Sequence, residues 1–146
     1  MSVIETRPAA PAVLAAQVHE LLALGMGPGL HWFPADVTAE RLAMVLVGMA
    51  NTSGGEVILG VSPRSAQVQG IGDLDAALDG VFQAALLADP PLVLPVPRPC
   101  LVENLHVLCI SVPAGLPHVY SLEGRYLGRD GSQTSPLSAR RLRQLL

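Results

Sequence analysis

The fold is decided by the stretch Leu42–Val61, which reads LAMVLVGMANTSGGEVILGV. In its first part, apolar residues fall on one face of a helix that Thr38 is placed to cap. In its last part, Glu56–Val61 is rich in the aliphatic residues typical of a buried strand. Between the two stands Asn51-Thr52-Ser53-Gly54-Gly55, whose asparagine and glycines tolerate the backbone angles that end a helix. The pattern therefore predicts a helix that turns directly into an interior strand.

The turn itself has two interpretations. In the first, Asn51 hydrogen-bonds to the turn backbone and the glycines only shape the chain. In the second, Gly54 and Gly55 let a phosphate approach the backbone. Phosphate-binding loops usually run from strand to helix, so that the helix N-terminus faces the anion. The order here is the reverse, and the turn is therefore not a Walker loop.

The flanking sequence predicts three further helices and a mostly antiparallel sheet. Helices are expected at about residues 12–24, from the cap Asp73 to Pro90, and after the cap Ser135-Pro136. Strands are expected at residues 30–33, 67–71, 92–102 and 105–112, with a last hairpin of residues 119–122 and 125–127.

Two details of this arrangement follow from side-chain chemistry. Pro95, Pro97 and Pro99 remove three N–H groups from the same side of one strand, which places that strand at a sheet edge. On the third helix, six apolar residues are expected to face the core: Leu74, Leu78, Val81, Phe82, Ala85 and Leu86.

The predicted fold class is α/β (α+β), with a single mixed, mostly antiparallel sheet and about four helices packed on it. Residues 1–11 carry two prolines and are predicted to be a disordered lead. Residues 12–146 are predicted to form one domain.

Composition limits the functional classes. Half of the residues are hydrophobic, which excludes a disordered chain. The chain contains no lysine and has a formal net charge of -3, whereas proteins that coat nucleic acid non-specifically depend on many cations. No apolar run approaches the roughly 20 residues that cross a bilayer, so a cytoplasmic protein without a membrane partner is expected.

The two cysteines are expected to be free thiols. If Val102 pairs with Leu105 across a tight hairpin, Cys100 lies opposite Val107 and diagonal to Cys109. Diagonal neighbours are roughly 7–8 Å apart, too far for an unstrained disulfide. There is no CxxC pair, so no zinc site is predicted. No cofactor is predicted either.

Four motifs occur in order along the chain. The first is Ala50–Gly55 with the following Gly60-Val61, and the second is the central strand Val107–Pro113. The third is Pro117-His118-Val119-Tyr120, and the last is Tyr126-Leu127-Gly128-Arg129-Asp130-Gly131-Ser132. Together they resemble the AlbA domain of the Schlafen family, a domain associated with DNA binding, and the resemblance covers the chain from about residue 14 to its end. It implies a nucleic-acid-associated module with a regulatory (for example transcriptional) or defence role.

The residues that the resemblance assigns to catalysis are replaced. Some Schlafen relatives are ribonucleases, and the resemblance places their acidic residues near Met26, at His31 and after Val61. A metal-dependent nuclease needs several oxygen ligands converging on the ion. None of these positions holds a carboxylate here, so the chain is predicted not to be an enzyme. His31 is expected to be a satisfied core or rim histidine.

A basic patch is the candidate nucleic-acid site. Five of the nine arginines fall in the last 22 residues: Arg125, Arg129, Arg140, Arg141 and Arg143. If the closing helix packs beside the last hairpin, they can grip phosphates bidentately. The alternative is an ordinary solvated helix face with a salt bridge from Arg129 to Asp130 or Glu123.

Three functions are therefore weighed. The first is a non-catalytic module that binds the backbone of DNA or RNA. The second is a structural or oligomerisation module, in which low charge and high apolar content favour a homodimer. The third, a degenerate nuclease or an ATP-binding protein, has no motif in its support.

Overall fold

The computed structural model describes residues 11–146, with side chains from Ala15 onward. The prediction of a disordered lead falls outside the described residues, except for Pro11, which is helical. Four helices occur: α1 Pro11–Leu24, α2 Ala39–Ala50, α3 Leu74–Leu87 and α4 Ala139–Leu145. The strands are β1 Leu30–Phe33, β2 Gly55–Leu59, β3 Ala88–Asp89, β4 Arg98–Val102, β5 Leu105–Val112, β6 Ser121–Leu122, β7 Leu127–Asp130 and β8 Gln133–Pro136.

The main sheet has four strands in the order β1-β2-β5-β4. Only β1 and β2 run parallel, and the other pairs are antiparallel. Two small ribbons, β3-β6 and β7-β8, lie beside it. The predicted fold class is confirmed: helices pack on a mixed, mostly antiparallel sheet.

The helix that turns into an interior strand is present as predicted. Thr38 caps α2, and its hydroxyl accepts a hydrogen bond from the Arg41 N–H at 3.2 Å. The strand β2 lies between β1 and β5, so both of its edges are paired. Alternation along β2 sends Val57 and Leu59 to the face under α2 and Ile58 to the face under α1. Each face of the sheet therefore has its own apolar core.

Strand β4 lies at the sheet edge, as predicted, but it is shorter than expected, and only Pro99 of the three prolines lies in it. It begins at Arg98, and residues 92–97 form no strand. Its register places Cys100 opposite Val107 and Arg98 opposite Cys109. Both cysteines are buried free thiols, as predicted. Burial is the main cause that raises the pKa of Cys109 to about 11.

The predicted buried side of α3 is wrong in part. Phe82 and Leu86 are 52% and 70% exposed, whereas the fully inward positions include Ala77, Ala84 and Ala85. Alanine has little side-chain volume, so it lets α3 lie close to α2. Val81 is buried as predicted, whereas the larger Phe82 and Leu86 are turned to the outer face.

The predicted end of the chain is also corrected. The turn at Glu123-Gly124 closes only one bridge, between Leu122 and Arg125. Strand β6 pairs with β3, and β7 pairs with β8, a strand that the sequence did not indicate. Residues 67–71 likewise form only one bridge, Val61–Val68, rather than a strand.

Ser135-Pro136 ends β8 and does not cap a helix. The Leu137 N–H donates to the Tyr126 carbonyl at 2.8 Å, which makes Leu127–Pro136 a pair without mutual hydrogen bonds. The nitrogen of Pro136 therefore points away from β7, and its missing N–H costs nothing there. The cap of α4 is Ser138, whose hydroxyl accepts from the Arg141 N–H.

Candidate functional site

The turn after α2 uses its polar groups inside the fold. The Asn51 amide donates to the carbonyls of Tyr120 and Leu127 and accepts from the Tyr120 N–H, each at 2.8 Å. The Thr52 hydroxyl donates to the Gly48 carbonyl at 2.8 Å. The turn thereby connects α2 to Tyr120 at the end of the third motif and to Leu127 at the start of β7.

The two glycines of the turn are packed against other backbone. Gly54 has a φ of +71°, and a Cβ placed on it would lie 2.5 Å from the Val112 carbonyl oxygen. A Cβ on Gly55 would lie 2.5 Å from the Gly29 carbonyl oxygen. The Gly54 N–H donates to the Met49 carbonyl. Close packing of the chain accounts for both glycines, which favours the structural interpretation of the turn.

Arg129 faces inward from β7 and is only 9% exposed. Its Nη2 donates to the Gly27 carbonyl at 2.6 Å and approaches His31 Nδ1 at 3.3 Å. Its Nη1 donates to the Ser132 carbonyl and the Thr134 hydroxyl, and its Nε donates to the Pro28 carbonyl. A guanidinium has five N–H donors, and all five are used.

The prediction that Arg129 belongs to an exposed basic patch is therefore corrected. The alternative salt bridge to Asp130 or Glu123 is absent as well. Among the described residues, salt bridges join His19 to Glu103 and Arg98 to Glu56. Arg129 is instead a buried cation held by neutral acceptors, and burial lowers its pKa.

A cavity of about 190 Å³ opens where β1, α2 and the β7-β8 ribbon meet. Its polar lining consists of His31, Arg41, Arg129, Ser132 and Thr134, and three apolar residues complete it. Arg41 lies in the first turn of α2 and is exposed. The carboxylates nearest in sequence, Asp36 and Glu40, do not line this cavity.

His31 is neutral at physiological pH. Desolvation is the largest cause that lowers its pKa to about 4, followed by the positive charges of Arg129 and Arg41. Because a guanidinium can only donate, His31 Nδ1 accepts the hydrogen bond from Arg129 and the ring proton lies on Nε2. His31 thus is the rim histidine that the sequence predicts, with a cation as its partner.

The other four arginines of the predicted patch are exposed. Arg140, Arg141 and Arg143 lie on α4, and the Arg141 guanidinium donates to Gln144 on the same helix. The Leu137 N–H donates to the Tyr126 carbonyl, so the residue before the α4 cap lies beside the residue that follows Arg125. These four arginines are exposed, while Arg129 is directed into the protein.

We call residues 125–146 the basic C-terminal segment. It holds five arginines and one aspartate, a net charge of +4, although the whole chain carries -3. The remaining 124 residues therefore carry -7. Charge is strongly segregated along the chain.

Sequence reasoning did not identify Arg41 as a site residue. Nothing in its local pattern distinguishes it from other solvated helix residues, because its neighbours in the cavity come from distant parts of the chain. In the described part of the chain, no group of three or more His, Cys, Asp or Glu side chains is placed to hold a metal ion. None of the described helices has the length and hydrophobicity needed to span a membrane.

The architecture defines the class: an α/β module whose mixed four-stranded sheet is covered by helices on both faces. The family model described as Schlafen, AlbA_2 matches residues 32–138, more than half of the chain. The protein belongs to this family, as its motifs predict. No curated protein matches the chain.

The solved structures that share the fold include two that we compare with this chain. The DIP2311 protein from Corynebacterium diphtheriae is 20% identical with a TM-score of 0.66, and the match covers 92% of this chain and 28% of that one. The N-terminal domain of a RecG-related protein from Nitrosomonas europaea is 18% identical with a TM-score of 0.62. That match covers 86% of this chain and 91% of the domain. The chain thus spans less than a third of the DIP2311 protein.

Proposed function

We propose that this protein is a non-catalytic module that binds the sugar-phosphate backbone of DNA or RNA. The contacts are made by the exposed arginines of the basic C-terminal segment: Arg125, Arg140, Arg141 and Arg143. Arginine suits this role because its planar guanidinium forms bidentate hydrogen bonds with phosphate oxygens.

The segregation of charge carries this proposal. An acidic body repels a polyanion, so binding has to use the one segment whose net charge is +4. Exposure of the four arginines leaves their donors accessible to a ligand. The RecG-related protein is described as related to a DNA helicase, which agrees with a role beside nucleic acid.

A non-catalytic role is supported by the cavity beside His31. The family resemblance places one nuclease acid at that position, but the cavity contains two arginines and no carboxylate. An ion such as Mg²⁺ needs oxygen ligands, and two adjacent cations repel it. A regulatory or defence role in the cytoplasm is the setting that we propose.

The test is the salt dependence of binding to short duplex DNA, single-stranded DNA and RNA, measured by fluorescence anisotropy. Each phosphate contact contributes about 0.9 to the slope of log K against log salt on duplex DNA. Arg140→Ala, Arg141→Ala and Arg143→Ala together should lower that slope by about 2–3 and weaken binding to every sequence alike.

The matched control is Arg64→Ala, which removes an exposed arginine outside the basic C-terminal segment. Its slope and affinity should stay at the wild-type values. Equal loss in the control and the triple variant, or binding that does not respond to salt, would refute the proposal.

A second candidate function is homodimerisation through an apolar surface. Phe82, Leu86, Val93 and Val96 are between 52% and 83% exposed, on α3 and on the proline-rich segment before β4. Contiguous exposed apolar surface often marks an interface. Light scattering of the wild type and of Phe82→Ser with Val93→Ser distinguishes this function: a dimer that becomes a monomer supports it, and a wild-type monomer excludes it.

A further inference from the structure

We infer that the cavity between β1, α2 and the β7-β8 ribbon binds a single phosphate-class oxyanion, which Arg41 contacts and which the charge of Arg129 attracts. This site is distinct from the exposed arginines proposed to bind the nucleic-acid backbone, although Arg129, Ser132 and Thr134 belong to the same C-terminal segment. It concerns one tetrahedral anion, and it holds whether or not the protein binds polymeric nucleic acid.

The first support is uncompensated positive charge. Arg129 is buried and has no carboxylate partner. Its charge is stabilised only by hydrogen bonds to carbonyls, a hydroxyl and a neutral imidazole. A buried cation is strongly stabilised by a nearby anion, because the screening by water is weak there. Arg129 has no free donor and therefore acts through its field.

The second support is a set of free donors at the cavity. Arg41 is not part of a salt bridge among the described residues, and it lines the cavity. The Thr134 hydroxyl accepts from Arg129 and so keeps its own proton for a further acceptor. Ser132 lines the same cavity. A charged donor and two hydroxyls match the oxygens of a tetrahedral anion.

The third support is room and selectivity. A cavity needs a volume of about 10–15 Å³ to hold one water molecule. This cavity has a volume of about 190 Å³, which leaves room for a tetrahedral anion. The charged groups acting on His31 from the neighbouring elements are Arg129 on β7 and Arg41 on α2, and both are cationic. A metal cation is repelled there, and an anion is favoured.

His31 provides a spectroscopic reporter. Its imidazole has a pKa of about 4 because it is buried near two cations. An oxyanion in the cavity stabilises the imidazolium and raises that pKa. The ring carbon-bound protons, followed by NMR through a pH titration of the full chain, measure this change.

Sulfate is the first probe, because it keeps two negative charges over the whole titration. The pKa of His31 should rise with sulfate concentration and reach a plateau. Sodium chloride at matched ionic strength controls for screening. A titration that is the same in both salts overturns the inference.

Arg41→Ala tests the direct contact, and Arg64→Ala is the matched control. Arg41 is exposed, so its removal leaves the core intact. Loss of a charge-assisted hydrogen bond should weaken sulfate binding by about tenfold or more. An unchanged sulfate affinity in Arg41→Ala overturns the inference, and an unchanged affinity in Arg64→Ala supports it.

Inorganic phosphate and a short oligonucleotide with a 5′-phosphate distinguish two sources of the anion. If the 5′-phosphorylated oligonucleotide binds more tightly than its 5′-hydroxyl form, the ligand is a phosphate monoester at a chain end. If the two oligonucleotides bind equally and inorganic phosphate competes with sulfate, the ligand is the free ion. Both support the site, and failure of both probes overturns it. The triple α4 arginine variant should keep the His31 response, so loss of backbone binding and loss of this site are distinguishable.

Discussion

Replacing Asn51 with alanine should destabilise the protein more than any other single polar substitution in the turn. The side chain is 5% exposed and makes three hydrogen bonds of 2.8 Å with Tyr120 and Leu127. The Leu127 carbonyl points away from β8, because Leu127–Pro136 is a pair without mutual hydrogen bonds. Without the Asn51 side chain, the Leu127 carbonyl, the Tyr120 carbonyl and the Tyr120 N–H all lose their hydrogen-bond partner.

The magnitude follows from those three groups. A buried donor or acceptor left without a partner costs about 1–3 kcal/mol, and carbonyls lie at the lower end. Asn51→Ala should therefore lower the free energy of unfolding by about 3–5 kcal/mol. With a urea m-value of about 2 kcal/mol/M, the unfolding midpoint falls by about 2 M.

The assay is urea unfolding, followed by circular dichroism and by the fluorescence of Trp32, which is 3% exposed. Asn51→Asp separates hydrogen bonding from volume, since it keeps the shape and the bond from the Tyr120 N–H. It turns a carboxylate oxygen toward two carbonyls, so it should destabilise at least as much as alanine. Ser53→Ala, an exposed neighbour, should stay within about 0.5 kcal/mol. A loss below about 1 kcal/mol for both Asn51 variants would refute this reasoning.

Three further predictions concern the fold and its titrating groups. Gly54→Ala should lower the free energy of unfolding by more than about 1 kcal/mol, because the φ of Gly54 is +71° and the Val112 carbonyl occupies the position of a Cβ. Gly72→Ala is the control in the same urea assay, because a Cβ at Gly72 meets only open space. The folded-state pKa of His31 is below its ordinary value, so the free energy of unfolding should fall as the pH drops from about 6.5 to about 4. His31→Asn should flatten that part of the plot of urea midpoint against pH. The folded-state pKa of Cys109 is raised from 9.0 to about 11, so stability should fall as the pH rises between those values; Cys109→Ala should remove this loss, and an unchanged slope would contradict it.

Several elements could be predicted because their causes are local. The cap Thr38, the apolar face of α2 and the glycines at its end are all encoded within 20 residues, and that unit is present as predicted. The edge position of β4 agrees with Pro99, the one of the three prolines that lies in the strand, because proline lacks an N–H donor whatever the tertiary context. The register of Cys100 opposite Val107 follows from the tight turn that joins β4 and β5.

The inward face of α3 and the pairing of β7 could not be obtained in this way. Periodicity gives a helix with several apolar residues, but the neighbouring helix decides which of them are covered. Phe82 is apolar and yet exposed, because close contact with α2 favours the alanines. Strand β8 is short and polar, so no hydrophobic alternation indicates it.

The sequence by itself determined the α2–β2 unit, the family and the concentration of arginine near the C-terminus, since each is a property of residues close together in the chain. Tertiary structure alone decided the roles of individual arginines. Nothing in the local sequence distinguishes Arg129 from the other arginines near the C-terminus. It is buried because its guanidinium hydrogen-bonds to acceptors that lie 98 to 102 positions earlier in the chain. The fate of a charged side chain depends on the dielectric and the partners around it, and folding brings those together from distant parts of the chain.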